Sequence, residues 1–188
     1  DSLYVNGVKL APSGQEDWQR WIYQASLEQA TVYEFTFERP NRGNYASTTT
    51  APPEVVVMAP EEGAVLSRAS GFAIAWAPDE GNTIALDIDE DFEQAEAEGM
   101  QSGYCCLYLS DEETEQLAFE IADTGSHDVS PNGLQNAQQV YGVSPAECPN
   151  ELPAVITLER KRVGTLHPGL SGEIGGNAKA IVHFRSIP

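Results

Sequence analysis

The sequence predicts a mainly β protein, a sandwich of antiparallel strands. Short segments with apolar residues at alternate positions recur along its 188 residues, which is the period of a half-buried strand. Turn residues such as Asn-Gly and Pro-x-x-Gly separate these segments, as expected for many short strands in sequence. The apolar fraction of 41% is sufficient for a globular core. No apolar run reaches the ~18–20 residues that span a bilayer.

The chain begins with a predicted hairpin that is followed by a predicted helix. Asn6-Gly7 lies between two short β-prone arms and is a favoured dipeptide of two-residue hairpin turns. Ser13 and Glu16 match a capping box, the signature of a helix N-terminus. Four apolar residues then follow at the spacing of one helix face: Trp18, Trp21, Ile22 and Ala25. We therefore expect one N-terminal helix.

The period changes to two at the next segment, where Tyr33, Phe35 and Phe37 alternate with polar residues and indicate an amphipathic strand. Residues 45–53 are rich in Ser, Thr and Pro and are interpreted as a crossing or linker segment. The predicted division is an N-terminal hairpin-helix-strand element, residues 1–50, which packs on a main domain, residues 54–188.

The main domain contains seven segments with the composition of strands: Glu54–Ala59, Gly71–Ala77, Thr83–Asp89, Tyr104–Leu109, Gln116–Ala122, Leu152–Arg162 and Lys179–Ile187. Ser130-Pro131 resembles the cap and first residue of a helix, so we also expect a short helix near residues 131–141.

The formal net charge is −19, and it is concentrated in the middle of the chain. No Lys or Arg lies between Arg68 and Arg160, and this stretch holds 19 of the 29 acidic residues; the remaining 10 are balanced by all 10 basic residues. Such a field repels phosphate backbones and anionic headgroups, so we expect no binding to nucleic acid or to anionic membrane surfaces. The acidic stretch is interpreted as a solvated surface that keeps the protein soluble, with a cation-binding face as the alternative.

Three cysteines, Cys105, Cys106 and Cys148, leave two interpretations open. Adjacent residues of a strand point to opposite faces, so only one of the first two thiols readily faces the core. Cys148 either forms a disulfide with Cys105 or Cys106, or all three are buried as small hydrophobic residues. Their spacing matches no zinc site.

The best candidate metal ligands are Asp87, Asp89 and Asp91, spaced DxDxD. Alternate carboxylates share one face of a strand, and they could converge where the chain curves after Asp89. Calcium binds several hard oxygen ligands. Phe92, however, occupies the position at which an EF-hand loop has its glycine. An acidic outer strand face is the competing interpretation.

No segment predicts a catalytic site. Ser126-His127-Asp128 has the residue types of a triad, but triad members converge by side-chain geometry and three consecutive residues do not indicate one. Residues 169–173 (GLSGE) begin like a nucleophile elbow, but Glu173 stands where the final glycine belongs. No catalytic residue and no cofactor other than calcium is therefore expected.

Six short motifs carry a resemblance to a known group: Pro60-x-x-Gly63, Ser67-Arg68, Ile74-Ala75-Trp76, Asp123-Thr124-Gly125-Ser126, a turn near Leu134, and Leu158-x-Arg160. From residue 54 onward the sequence resembles immunoglobulin-like domains of uncharacterised bacterial secreted proteins and lipoproteins. The upstream segment Tyr33-x-Phe35-x-Phe37-x-Arg39 is similar to the strand that precedes such domains. The resemblance implies a sandwich fold, a Trp in the core and an envelope or extracellular location, and it implies no catalytic residues.

The resulting hypothesis is a mainly β, immunoglobulin-like sandwich with one N-terminal helix and a short helix near 131–141. It predicts a non-enzymatic structural or binding module that is periplasmic, anchored as an outer-membrane lipoprotein or secreted, with an envelope protein or glycan as partner. The alternative is a calcium-stabilised glycan- or protein-binding domain, and a hydrolase is a more distant one.

Overall fold

The structure is a computed structural model that describes residues 1–17, 20–24, 27–28, 30–80, 82–100, 107–117, 120–136, 140–142 and 149–188, with only the backbone course described for 13–17 and 20–24. Strands make up 53% of the residues and helices 10%, so the mainly β prediction is confirmed. The chain forms two compact units, residues 1–52 with 161–177 and residues 53–160 with 178–188. Within the described residues, every helix is too short or too polar to span a bilayer.

The first unit is built on a four-stranded antiparallel sheet in the order β2-β1-β5-β6. Its strands are β1 Ser2–Val5, β2 Val8–Lys9, β5 Val32–Arg39 and β6 Gly43–Thr50. Asn6 and Gly7 connect β1 and β2 with φ of 48° and 77°. Positive φ at both central residues defines the type I′ turn, so the predicted hairpin is present.

The predicted N-terminal helix is wrong for the residues described. Ala11–Asp17 and Arg20–Gln24 form the antiparallel strands β3 and β4, while Trp18 and Ala25 of the proposed helical stripe lie outside the described residues. Pro12 and Gly14 disfavour a helix in the first segment, and the second (RWIYQ) is rich in residues that favour strands. Pairing between the two segments outweighs the helical spacing of the apolar residues.

The segment interpreted as a linker contains β6, which pairs with β5 over its full length, from Val32 opposite Thr50 to Arg39 opposite Gly43. The Ser and Thr residues that suggested a linker alternate in burial, and Ser47 and Thr49 are only 3% and 4% exposed. β-branched Thr is compatible with strands, so composition alone was misleading here.

The second unit contains three sheets, with strand orders β12-β10-β15-β16-β8, β13-β9-β7 and β11-β14. Strand β8 runs parallel to β16, and the other pairs with a described register are antiparallel. The elements are β7 Val57–Ala59, β8 Ala64–Ser67, β9 Phe72–Trp76, β10 Thr83–Glu90, α1 Phe92–Ala97, β11 Leu107–Leu109, α2 Asp111–Leu117, β12 Ile121–Ala122, β13 Ser126–Val129, β14 Leu134–Asn136, β15 Leu152–Val163 and β16 Gly175–Ile187. The last two strands extend into the residues of the first unit.

Two predicted elements of this unit are wrong. The strand expected at 116–122 is replaced by the end of α2 and the two-residue β12. The helix expected near 131–141 is a turn over 131–133 followed by β14, although Val140 and Tyr141 are helical. Asn132 has φ of 62°, a left-handed conformation that interrupts a helix at its first turn.

One hydrophobic cluster joins residues from all three sheets of the second unit. Ile74 and Trp76 of β9, Ile156 and Leu158 of β15 and Leu134 of β14 are each no more than 1% exposed. These side chains occupy alternate positions of their strands, which is why the period-two pattern located them. The resulting packing of sheets is consistent with a sandwich.

A buried ion pair lies within this cluster. Arg160 and Asp123 are 1% and 2% exposed, and the Arg160 Nε donates to Asp123 Oδ2 at 2.6 Å. The indole Nε1 of Trp76 donates to the other oxygen, Oδ1, at 2.7 Å. Arg160 also donates to the carbonyl oxygens of Ala77 and Glu54, at 2.7 and 3.0 Å. The guanidinium therefore joins four segments of the chain.

Replacing Arg160 by Met removes the cation and keeps an unbranched side chain. Because the change leaves the Asp123 carboxylate buried without its partner, we expect the free energy of unfolding to fall by about 3–5 kcal/mol. Urea denaturation followed by tryptophan fluorescence measures the loss, since Trp76 belongs to the same network.

Lys179→Met is the matched control for this substitution. Lys179 lies on an exposed position of β16, and we expect its replacement to change stability by no more than about 0.5 kcal/mol. If both variants lost stability equally, the ion pair would not have the role assigned to it.

Candidate functional site

The three aspartates predicted as metal ligands do not converge. Asp87 is exposed and Asp89 half-buried on one face of β10, and Asp89 Oδ1 accepts from the Glu90 backbone N–H at 2.8 Å. Asp91 is buried at the N-terminus of α1. Its side chain thus lies beyond the strand whose periodicity suggested a common face.

Both carboxylate oxygens of Asp91 already have partners. Oδ1 accepts from the Gln94 backbone N–H at 3.1 Å and caps α1, while Oδ2 lies 2.7 Å from His183 Nδ1. No group of three or more His, Cys, Asp or Glu side chains able to hold a metal occurs among the residues that the structure describes. Cys105, Cys106 and Cys148 lie outside the described residues, so the disulfide stays a prediction.

The consecutive Ser126-His127-Asp128 lies in β13 and cannot converge. His127 is half-buried, while Ser126 and Asp128 are exposed on the opposite face, as the alternation of a strand requires. His127 Nε2 instead lies 3.2 Å from Oε2 of Glu113. The other elbow-like segment, residues 169–173, lies in a loop between β15 and β16, without the strand-to-helix turn that exposes such a nucleophile.

A cleft of about 610 Å³ lies beside the two-stranded β11-β14 sheet of the second unit. Tyr108 and Gln135 are directly opposite each other in this pair and therefore share one face. Their neighbours Leu107 and Leu134 lie on the other face and are 3% and 1% exposed in the core. The β11-β14 sheet thus presents one face to the core and the other to the cleft.

Two tyrosine rings line this cleft. The centroids of Tyr108 and Tyr141 are 5.3 Å apart and the ring planes meet at 79°, an edge-to-face arrangement that favours attraction between aromatic rings. Tyr141 remains 67% exposed. The contact therefore positions a large aromatic surface that the protein itself does not cover.

The turn from Ser130 to Gly133 also lines the cleft. Asn132 N–H donates to the Arg68 carbonyl at 2.7 Å, and the Gly133 carbonyl accepts from the Ser110 N–H at 2.7 Å. A Cβ at Gly133 would come within 2.7 Å of Glu113 Cγ, so glycine is required for this close approach. The turn is consequently held from several sides.

The most deeply buried contact of the turn is made by Glu113 of α2, whose side chain is fully buried. Its Oε1 accepts from the Ser130 backbone N–H at 2.7 Å. Burial alone would raise the pKa of Glu113, but the hydrogen bonds from Ser130 and His127 outweigh it and leave that pKa lowered. Glu113 is therefore an ionised structural group that holds the turn at Ser130 in place.

Two smaller cavities lack an aromatic lining. One, of about 330 Å³, is bounded by residues such as Asp1, Glu38 and Arg39 in the first unit. The other, of about 440 Å³, includes Asn82 and Thr83 in the second unit. The cleft beside β11 and β14 combines the larger volume, aromatic rings and mixed polar groups that characterise ligand sites.

Sequence reasoning missed this site for identifiable reasons. The alternation of Leu107, Tyr108 and Leu109 could have placed Tyr108 on the outer face of its strand. Glu113, in contrast, is one of four acids within five residues, and nothing local distinguishes the buried one from its exposed neighbours. Comparison with protein-family models, curated proteins and solved structures finds no match for the chain.

Glu113→Gln removes the buried charge while keeping an acceptor for the Ser130 N–H. Because the pKa of Glu113 is lowered in the folded state, its stabilising contribution is complete above the ordinary carboxyl pKa and is lost as the pH falls through the lowered value. We expect the unfolding free energy of the native protein to fall between about pH 5 and pH 3, and that of Glu113→Gln to fall less.

Urea titrations at pH 7, 5, 4 and 3 measure this difference. At pH 7 we expect Glu113→Gln to be destabilised by about 1–3 kcal/mol, the range for a hydrogen bond to a charged group. Glu115→Gln, an exposed position of the same helix, is the control and should follow the native pH profile. Parallel profiles for all three proteins would contradict the role of Glu113.

Proposed function

We propose that the protein is a non-enzymatic binding module whose second unit is an immunoglobulin-like sandwich. The observation that carries this proposal is the cleft beside β11 and β14, which is lined by an exposed tyrosine and by a turn that a buried carboxylate holds in place. A site whose walls are ordered before the ligand arrives loses little conformational entropy on binding. Such preorganisation is expected of a recognition surface.

The groups near the cleft support binding rather than catalysis. A general acid at neutral pH needs a raised pKa and contact with its substrate, whereas Glu113 is fully buried and its pKa is lowered. His127 is held against Glu113 with 11% of its side chain exposed. Both groups therefore act on the turn and not on a ligand in the cleft.

An extracytoplasmic location is part of the same proposal. It is supported by the resemblance of motifs in the second unit to those of secreted and lipoprotein domains. That unit contains 22 acidic and 4 basic residues, a formal charge of −18, whereas the first unit, with 7 and 6, carries −1. A strong charge of one sign keeps a protein soluble and monomeric.

Binding without turnover is tested with two probe classes, neutral hexasaccharides and an Arg- and Lys-rich peptide, each titrated calorimetrically and then analysed for products. We expect one class to bind and neither to be cleaved, and we expect no hydrolysis of p-nitrophenyl acetate or casein above the rate in buffer. The physical reason is that the buried Glu113–His127 pair does not contact the cleft contents.

Two results would overturn this proposal. One is turnover of any of these compounds that His127→Ala abolishes, which would make the protein an enzyme. The other is failure of both probe classes to bind at millimolar concentration. The variant Ser126→Ala, adjacent to His127 on the exposed face of β13, is the matched control for an indirect effect on folding.

The calcium hypothesis retains one supporting feature, the acidic face that Asp87 and Asp89 form on β10. Both oxygens of Asp91 have partners. We therefore expect 2 mM CaCl₂ to raise the thermal midpoint no more than NaCl of equal ionic strength. This concentration exceeds the ~0.1–1 mM dissociation constants of extracellular calcium modules. The NaCl arm is essential, since screening alone stabilises a unit with a charge of −18.

A calcium-specific rise in the midpoint, reversed by EDTA and lost in Asp87→Asn, would establish the calcium-stabilised alternative instead, because a ligand of the native state increases stability. Glu93→Gln, an exposed acid on α1, is the control for a general loss of negative charge.

A further inference from the structure

We propose that the cleft binds a neutral oligosaccharide, with Tyr141 as the surface on which a sugar ring stacks. This inference rests on the proposed binding function and names its ligand class. It is carried by three properties of the cleft: an exposed and positioned aromatic ring, uncharged polar groups beside it, and a surrounding charge that excludes anionic ligands.

The aromatic ring comes first. A tyrosine that is 67% exposed loses the gain from apolar burial unless a partner covers it. The edge-to-face contact with Tyr108 sets the ring of Tyr141 at 79° to its neighbour, while most of the Tyr141 side chain stays exposed. The C–H-rich face of a pyranose is apolar and flat, so it matches such a ring, while the hydroxyl groups at its edge remain available for hydrogen bonds.

The polar groups match those hydroxyls. Two amide side chains each offer donors and an acceptor. One is Gln135, which is opposite Tyr108 in the β11-β14 pair, and the other is Asn132 in the turn. A sugar hydroxyl also donates and accepts, so adjacent hydroxyls pair with one amide. The backbone of the turn is held by Ser110 and Arg68, which keeps Asn132 in its left-handed conformation and on the cleft wall.

The charge decides between classes of sugar and of partner. The second unit carries −18, and Asp111 and Glu112 line one side of the cleft, so uronic, sialylated and sulfated glycans are repelled. A basic peptide would be attracted to these two carboxylates. Four of the six non-aromatic polar residues that line the cleft are uncharged, however, and this favours a ligand that is neutral and rich in hydroxyls: Ser110, Ser130, Asn132 and Gln135.

The test is calorimetric titration of the whole chain with cellohexaose, xylohexaose, mannohexaose and chitohexaose, with polygalacturonate and an Arg- and Lys-rich peptide as the competing classes. We expect at least one neutral hexasaccharide to bind, and Tyr141→Ala to weaken it at least about tenfold, the effect of removing a central contact residue. Tyr141→Phe keeps the ring and should stay within about threefold of the native affinity. Gln135→Leu should weaken binding while preserving the fold.

Phe92→Ala is the matched control, because Phe92 is an exposed aromatic residue, 42% accessible, on α1 of the same unit and outside the cleft. Thermal unfolding of each variant separates a loss of binding from a loss of folding. The inference is overturned if no neutral hexasaccharide binds, if Tyr141→Ala binds as well as the native protein, or if only polygalacturonate binds.

Peptide binding that depends on Tyr141, without sugar binding, overturns the ligand class but leaves the binding module intact. Cleavage of any probe overturns the binding module itself. The two proposals therefore fail by different observations.

Discussion

The ion pair between Arg160 and Asp123 is the interaction on which the second unit depends. Its guanidinium donates to the Asp123 carboxylate and to the backbone carbonyls of Pro53, Glu54 and Ala77, so one side chain satisfies polar groups of three other segments. An unpaired charge at this depth would cost several kcal/mol. The segments consequently hold one arrangement, in which the hydrophobic residues of the neighbouring strands can pack.

The burial of arginines in the core lowers the positive charge at the surface of the second unit. The second unit has four basic residues, and two of them, Arg68 and Arg160, are only 1% exposed. Arg185 is bound to the carboxylates of Glu98 and Glu151. Little positive charge is left to offset the acids at the surface, and the strong negative charge of the second unit follows from the same distribution.

Elements formed by local sequence patterns could be predicted, whereas elements that depend on contacts between residues distant in sequence could not. The strands β10, β15 and β16 carry a period-two pattern of their own, and they were predicted near their observed positions. The apolar residues from Trp18 onward have helical spacing, but residues 11–17 and 20–24 pair with each other as two antiparallel strands. The cleft was beyond local reasoning, because Glu113 and Ser130 are 17 residues apart and only the folded chain brings them together.

The two buried charged groups, the Arg160–Asp123 pair and Glu113, have different structural roles. The Arg160–Asp123 pair lies within the hydrophobic cluster, and the core could be filled at similar stability by apolar residues of the same volume. Glu113 orders a turn at the surface, where an apolar residue could not accept the hydrogen bond from the Ser130 N–H. In the proposed binding module, Glu113 would preserve the position of that turn, which lines the same cleft as Tyr141.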